Sequence, residues 1–220
     1  MIANYLRQIQ QAGLKLDVVF DIGACSGQWT QELRRSALAN SKFYLFEANG
    51  AHSHQLNSLG VPFFIGVLSN PGRQFVEFFS KNSTGDSYYK ENTVHYDSHS
   101  AVRVPCNTLA DVMDKAAIPI PNFIKIDTQG SELDILKGVE QHLDKVDLIY
   151  LECPVIRYNL EAPTLQDYLD YMRDNGFVPT EVLEIHKNEH IILQIDIMFI
   201  NHKTKERIYG PTQYSRPLEN

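Results

Sequence analysis

A glycine-rich turn follows a short apolar run near the start of this chain and is the first place where its residues could do chemistry. Asp21 lies in the run Val18–Ile22, and Gly23 and Gly27 follow in a D-x-G-x-x-x-G spacing that also contains Ala24. Glycine has no Cβ, so such a turn can bend tightly and bring backbone N–H groups at a helix start close to a ligand. A dinucleotide fold needs G-x-G-x-x-G, and this chain lacks one glycine. The turn therefore predicts a loop that binds a small molecule, and the missing glycine disfavours a nucleotide-dependent oxidoreductase.

A second apolar run, from Phe43 to Phe46, ends in Glu47. Ligands of open α/β sheets bind beyond the carboxyl ends of the strands. An acid at that edge can accept hydrogen bonds from both hydroxyls of a ribose, and the alternative is a solvent-facing acid. We expect Glu47 to bind the ribose, and Val67 and Leu68, at the end of the third strand, to line the same rim.

A third group of polar residues follows the buried run Phe123–Ile126. The sequence Asp127-Thr128-Gln129-Gly130-Ser131-Glu132 places one acid at a strand end and another in a first helical turn, where the helix dipole alone favours it. Glu152 ends the next apolar run. The strand-end rule predicts Asp127 and Glu152 on the same rim as Gly23 and Glu47.

Strands alternate with helices along most of the chain. The pattern predicts a doubly wound, mostly parallel, Rossmann-like α/β sheet, closed by two strands at 177–185 and 191–200 that form an antiparallel edge. We expect one domain over residues 1–220, with an N-terminal helix within 1–16, a single strand over 62–68, a helix over 28–38 and a tail over 202–220.

The segment 81–99 has no apolar period and is rich in Asn, Ser, Tyr and His. A loop of this length within a compact domain is usually functional or disordered. His95 and His99 lie in it with three tyrosines, so it is either a substrate lid or an ordinary polar loop. Histidine side chains can titrate near neutral pH, so His95 and His99 are both secondary candidates for catalytic residues.

Composition limits the remaining classes of function. Lys and Arg total 20 against 27 Asp and Glu, a formal charge of −7, and no long basic run is present, so nucleic acid is not an expected partner. Three separated cysteines indicate neither a disulfide framework nor a zinc cluster. No apolar run reaches the ~18 residues of a membrane span, and no signal peptide is evident. A cytoplasmic protein is the expectation, and the oligomeric state is left open.

Taken together, these motifs resemble the FkbM-type family of S-adenosylmethionine-dependent methyltransferases. The resemblance covers about residues 17–201 and is carried by the 21–27 loop, Glu47, the block Phe123–Leu133, Leu136-Lys137-Gly138, and Leu151-Glu152. It differs at Cys25, where the family often has asparagine, and at Ala48, where it often has proline. The resemblance implies a class I methyltransferase fold, S-adenosylmethionine as cofactor, and a hydroxyl of a sugar, glycan or small metabolite as acceptor.

A hydroxyl acceptor needs a base or a metal to take its proton. Asp127 is the first candidate, either as a direct base or as a Mg²⁺ ligand together with Glu152. Two alternatives stay open: nitrogen methylation on the same fold, and a non-catalytic module that only binds the cofactor.

Overall fold

The computed structural model describes residues 1–80, 85–92 and 101–210. His95 and His99 lie outside these residues. The strands of the described ranges are β1 (Val18–Ile22), β2 (Lys42–Glu47), β3 (Phe63–Ile65), β4 (Val67–Leu68), β5 (Phe75–Phe78), β6 (Val102–Asn107), β7 (Phe123–Ile126), β8 (Leu148–Pro154), β9 (Phe177–Asn188) and β10 (Ile191–Asn201). The helices are α1 (Ile2–Gln11), α2 (Gln28–Arg34), α3 (Ser53–Ser58), α4 (Leu109–Ala116), α5 (Glu132–Lys137), α6 (Leu165–Asp174) and α7 (His202–Tyr209).

Seven strands form the central sheet in the order β3-β2-β1-β7-β8-β10-β9. The first five run parallel, and β10 runs antiparallel to both β8 and β9. The predicted α/β fold with a mostly parallel sheet and an antiparallel edge is confirmed. Since β1 lies between β2 and β7, the acids that end these strands meet at one rim.

Alternate residues of the strands feed two apolar cores on opposite faces of the sheet. Val19 packs with Leu6 of α1 and Leu56 of α3 on one face, whereas Phe20 packs with Met113 of α4 and Met172 of α6 on the other. Burial on both faces explains why the central strands are nearly continuous apolar runs. It also makes a charged residue in such a strand conspicuous.

The predicted strand over 62–68 is in fact two strands, separated by Gly66. Gly66 has φ of +157°, and a side chain there would come within 2.8 Å of the Phe64 ring. The chain therefore leaves the main sheet, and β4 joins a second sheet in the order β4-β6-β5. This break brings β4 to the rim where β1 and β2 end.

Two helix boundaries also differ from the expectation. The helix expected over 28–38 ends at Arg34 as α2, and the expected tail begins with the helix α7. The Asn201 side chain caps α7 by accepting a hydrogen bond from the Lys203 N–H. Asparagine is a preferred residue at this position, but the polar composition of the segment favoured a tail over a helix. Within the part of the chain that the structure describes, no helix has the length and apolar character that a bilayer span requires.

Candidate functional site

A cavity of about 320 Å³ lies at the carboxyl ends of β1, β2, β7 and β8. This volume is in the range of ~300–1,000 Å³ that is usual for small-molecule sites. It is lined by residues from both predicted signatures and from the 85–92 segment, including Gly23, Phe46, Glu47, His52, Val67, Leu68, Asp86, Tyr88, Asp127, Gln129 and Glu152.

Most of the residues predicted as site residues therefore share one cavity. Gly23, Glu47, Val67, Leu68, Asp127 and Glu152 line it. Asp21, Ala24 and Gly27, which were expected at the cofactor, do not line it, and Asp21 is completely buried beneath the loop. These three residues shape the loop from below.

Gly23 fits the loop tightly between two strands. Its φ is +72°, its N–H donates to the Phe46 carbonyl at 2.9 Å, and a side chain at this position would overlap the carbonyl of Asp127. The glycine is thus required by the close approach of the neighbouring strand end. It locks the first loop onto the second signature.

Glu47 is held in one orientation by the loop. Its two carboxylate oxygens accept backbone hydrogen bonds from Cys25 at 2.7 Å and from Asn49 at 2.8 Å. A carboxylate has about four acceptor sites, so both oxygens keep capacity for ligand hydroxyls. His52, which sequence reasoning did not assign to the site, lies beside Cys25 with 3.6 Å between its Nε2 and the thiol sulfur.

Lys125 is a buried cation beneath the site that sequence reasoning missed. Its Nζ lies 3.2 Å from Asp21 Oδ1 and 3.3 Å from Asp127 Oδ2, and it donates to the Gly23 carbonyl at 3.0 Å. Burial alone would lower the pKa of Lys125, but Asp127 and Asp21 together raise it above its ordinary value. The signal was available, because a lysine between Ile124 and Ile126 stands alone in a strand buried on both faces.

Asp127 and Glu152 lie in the same cavity but have different surroundings. Asp127 already has the Lys125 ammonium as its counter-ion. Glu152 accepts hydrogen bonds from two neutral amides, Gln129 Nε2 at 2.7 Å and Gln194 Nε2. Burial, and then the charge of Asp127, raise the pKa of Glu152 well above its ordinary value.

The described residues give the expected Mg²⁺ site no support. The Lys125 ammonium lies 3.3 Å from Asp127 Oδ2, so a cation is already present at one of the two expected ligands. Mg²⁺ is commonly held by one or two carboxylates and keeps several waters, and the ammonium at Asp127 would compete with it for one of the two expected carboxylates. Among the described residues, three close ligand-bearing side chains occur only at Glu184, His186 and Asp196, which do not line this cavity.

The turn between β7 and α5 is held by Glu132, which is completely buried. Its carboxylate accepts the backbone N–H groups of Thr128 at 2.8 Å and Gly130 at 3.0 Å and the Tyr168 hydroxyl at 2.5 Å. Glu132 thus shapes the turn that carries Gln129 and does not line the cavity.

Part of the predicted insertion closes one side of the cavity. Ser87 pairs with Phe79 through two backbone hydrogen bonds, and its hydroxyl donates to the Gln129 carbonyl at 2.9 Å. The hydroxyls of Tyr88 and Tyr89 donate to Asp134 Oδ2 at 3.1 and 2.9 Å. Residues 85–92 are therefore docked on the turn and on α5.

Comparison with known proteins agrees with this geometry. A model of the methyltransferase FkbM domain matches residues 21–179. The hexuronic acid methyltransferase AglP of Haloferax volcanii is 20% identical over 197 residues, which cover 86% of this chain and 75% of that protein.

Two solved structures are also similar. A candidate O-methyltransferase from Klebsiella pneumoniae has a TM-score of 0.50 at 13% identity, covering 91% of this chain and 80% of that one. A methyltransferase FkbM from Methylobacillus flagellatus KT has a TM-score of 0.49 at 15% identity, covering 86% and 46%. Because the domain model spans most of its length, the chain belongs to the FkbM methyltransferase domain family.

Proposed function

We propose that this protein transfers a methyl group from S-adenosylmethionine to a hydroxyl of a sugar, glycan or small metabolite. The observation that carries the proposal is the single cavity that joins the Gly23 loop and Glu47 to the carboxylates of Asp127 and Glu152. One end of this cavity suits a nucleoside, and the other end suits an oxygen that must lose a proton.

The residues at the β2 end fit the cofactor. The fixed carboxylate of Glu47 can accept hydrogen bonds from both ribose hydroxyls, and Phe46, Val67 and Leu68 offer apolar surface for a purine ring. When bound, S-adenosylmethionine supplies a methyl group that is already activated on a sulfonium. The protein then has to hold, align and deprotonate the acceptor.

The residues at the β8 end fit a hydroxyl acceptor. Glu152 lies three strand spacings from Glu47, roughly 14 Å at the usual distance between strands, which leaves room for an acceptor beyond the nucleoside. A hydroxyl needs a base, whereas an amine needs only to be neutral, so two carboxylates favour oxygen. The name of the Haloferax volcanii relative supports a sugar acceptor.

Incubation of the protein with methyl-labelled S-adenosylmethionine and a panel of sugars, glycans and amines tests the proposal. We expect label in a base-stable ether of a hydroxylated acceptor and none in amines. Label confined to amines would overturn the oxygen assignment. Failure of the protein to bind the cofactor would overturn the whole function.

A further inference from the structure

We propose that Glu152, and not Asp127, is the general base that receives the proton of the acceptor hydroxyl. The inference rests on the proposed function, since it assigns the proton acceptor for oxygen methylation. Three features of the cavity support it: the counter-ion of Asp127, the neutral partners of Glu152, and the charges that surround Glu152.

Asp127 is poorly suited to take a proton. The Lys125 ammonium lies 3.3 Å from its Oδ2 and is itself buried, so Asp127 is ion-paired with a buried cation. Protonating Asp127 would leave Lys125 with Asp21 as its only carboxylate among these contacts. Taking a proton would therefore break the ion pair of Asp127 with a buried ammonium.

Glu152 is held in place without being neutralised. Gln129 and Gln194 each donate one amide hydrogen bond to it, and neither carries a charge. The Gln194 amide is oriented by the Tyr158 hydroxyl, which donates to its Oε1 at 2.8 Å, and the backbone of Gln129 is fixed by Ser87. The carboxylate is therefore aligned at the cavity wall by neutral groups, and neither of them is a cation that would pair with its charge.

The groups that face Glu152 make its negative charge more costly. Burial acts first, and the acids on neighbouring elements act in the same direction and raise the pKa of Glu152. The Tyr150 hydroxyl donates to Asp196 at 2.5 Å, and His186 lies 3.6 Å from the same carboxylate. Both groups interact with Asp196, so neither of them directly offsets the negative charge of Glu152. The facing acids are Asp127 after β7, Glu132 on α5 and Asp196 on β10. A raised pKa makes a carboxylate a stronger proton acceptor.

The transfer step then balances as follows. The acceptor oxygen forms its bond to the methyl carbon as its O–H bond breaks, and the proton goes to the Glu152 carboxylate. The bond between that carbon and the donor sulfur breaks, and its electron pair stays on sulfur, which becomes a neutral thioether. Protonated Glu152 afterwards loses the proton to solvent.

The first test compares Glu152→Gln with Asp127→Asn, using Glu181→Gln as a control on an exposed position of β9. For Glu152→Gln we expect kcat to fall by ~10²–10⁴-fold with unchanged affinity for S-adenosylmethionine. The wild-type rate should rise with pH through a raised pKa, and this limb should disappear in Glu152→Gln but persist in Asp127→Asn. A normal kcat in Glu152→Gln, or loss of the limb in Asp127→Asn alone, would overturn the assignment.

The second test does not depend on turnover. Carboxyl NMR of isotope-labelled glutamate, with Glu152→Gln to assign the signal, should show Glu152 titrating above the ordinary value of 4.5 in the complex with S-adenosylhomocysteine. Titration at or below that value would overturn the proposal. Because the buried anion opposes folding at neutral pH, Glu152→Gln should unfold at the same or a higher temperature.

These outcomes separate the inference from the function on which it rests. If the wild type methylates hydroxyls and Glu152→Gln does so equally well, only the assignment of the base fails. If the wild type methylates no hydroxyl acceptor, the proposed function itself fails.

Discussion

The Lys125 ammonium forms ion pairs with two acids at the ends of neighbouring strands. Asp21 belongs to β1 and Asp127 follows β7, and the ammonium between them also donates to the Gly23 carbonyl. Asp21 is further fixed by the Thr30 hydroxyl of α2 at 2.7 Å. Lys125 and its partners thus join the 21–27 loop, the segment that begins at Asp127, and α2.

Replacing Lys125 by Met should destabilise the fold, since Asp21 would keep a buried charge without a counter-ion. Removing one member of a buried pair typically costs about 3–5 kcal/mol. The free energy of unfolding from urea titration measures the effect. The double variant with Asp21→Asn should recover part of the loss, and a loss below about 1 kcal/mol in the single variant would contradict a structural role for the pair.

At the residue scale, the sequence predicted the acids of the rim but not their counter-ion. Glu47, Asp127 and Glu152 each follow an apolar run, and the strand-end rule places such residues together. Lys125 was missed because it lies between two apolar residues of the motif and was not considered as a functional residue. Its ion pairs with Asp21 and Asp127 depend on which strands are neighbours in the sheet, and the sequence pattern does not give that order. His52 and Asp86 lie in loops, whose paths no periodicity predicts.

At the scale of elements, the segment 85–92 is joined to α5 through Asp134. The Arg73 guanidinium lies 3.3 Å from the same carboxylate and over the rings of Tyr88 and Tyr89. Burial alone would raise the pKa of Asp134, but hydrogen bonds from Asn70 and Tyr89 and the charge of Arg73 outweigh it and lower that pKa. A lowered carboxyl pKa stabilises the folded contact above the ordinary value of 3.8, and this stabilisation is lost as the pH falls through the lowered pKa.

We therefore expect Asp134→Asn to loosen the segment at neutral pH. Hydrogen exchange of residues 85–92 should become faster in this variant than in the wild type. Adding S-adenosylhomocysteine should slow exchange over 81–99 in the wild type, as expected of a lid. Equal exchange with and without this ligand would show that the segment does not close over it. Equal exchange of residues 85–92 in the wild type and Asp134→Asn would contradict the role of Asp134.

The order and type of the elements were predictable from periodicity, but their exact paths were not. Alternation of strands and helices predicts the wound sheet, and burial on both faces produces its apolar strands. The break at Gly66 depends on the position of the Phe64 ring, which is a tertiary contact. The helix α7 follows from the Asn201 cap and from packing of Ile208, where composition alone indicates a tail.

At the scale of the whole molecule, the cavity is acidic in a chain whose formal charge is −7. Glu47, Asp86, Asp127 and Glu152 line it, and no lysine or arginine is among its lining residues in the described ranges. Such a field attracts a cationic cofactor and repels an anionic acceptor. The Haloferax volcanii relative is named for an acidic sugar, whereas the acidic cavity leads us to predict a neutral acceptor for this chain.

We expect a neutral hexose to be methylated with a kcat/KM at least about tenfold above that of the uronic acid of the same configuration, a difference of about 1.4 kcal/mol. Added salt should reduce the ratio of the two kcat/KM values, because it screens the repulsion between the cavity and the uronic acid. Steady-state kinetics on the matched pair measures the ratio. A preference for the uronic acid would contradict the electrostatic argument.

We infer that Glu47 and the Gly23 loop bind S-adenosylmethionine, and calorimetric titration of this cofactor into the wild type and Glu47→Gln tests this claim. We expect the wild type to bind one molecule per chain saturably. Losing a charged hydrogen bond costs about 1.5–3 kcal/mol, so affinity should fall by about tenfold or more in Glu47→Gln. The control Glu181→Gln should bind normally. Absence of binding to the wild type, or equal affinity in Glu47→Gln when that variant is folded, would contradict the claim.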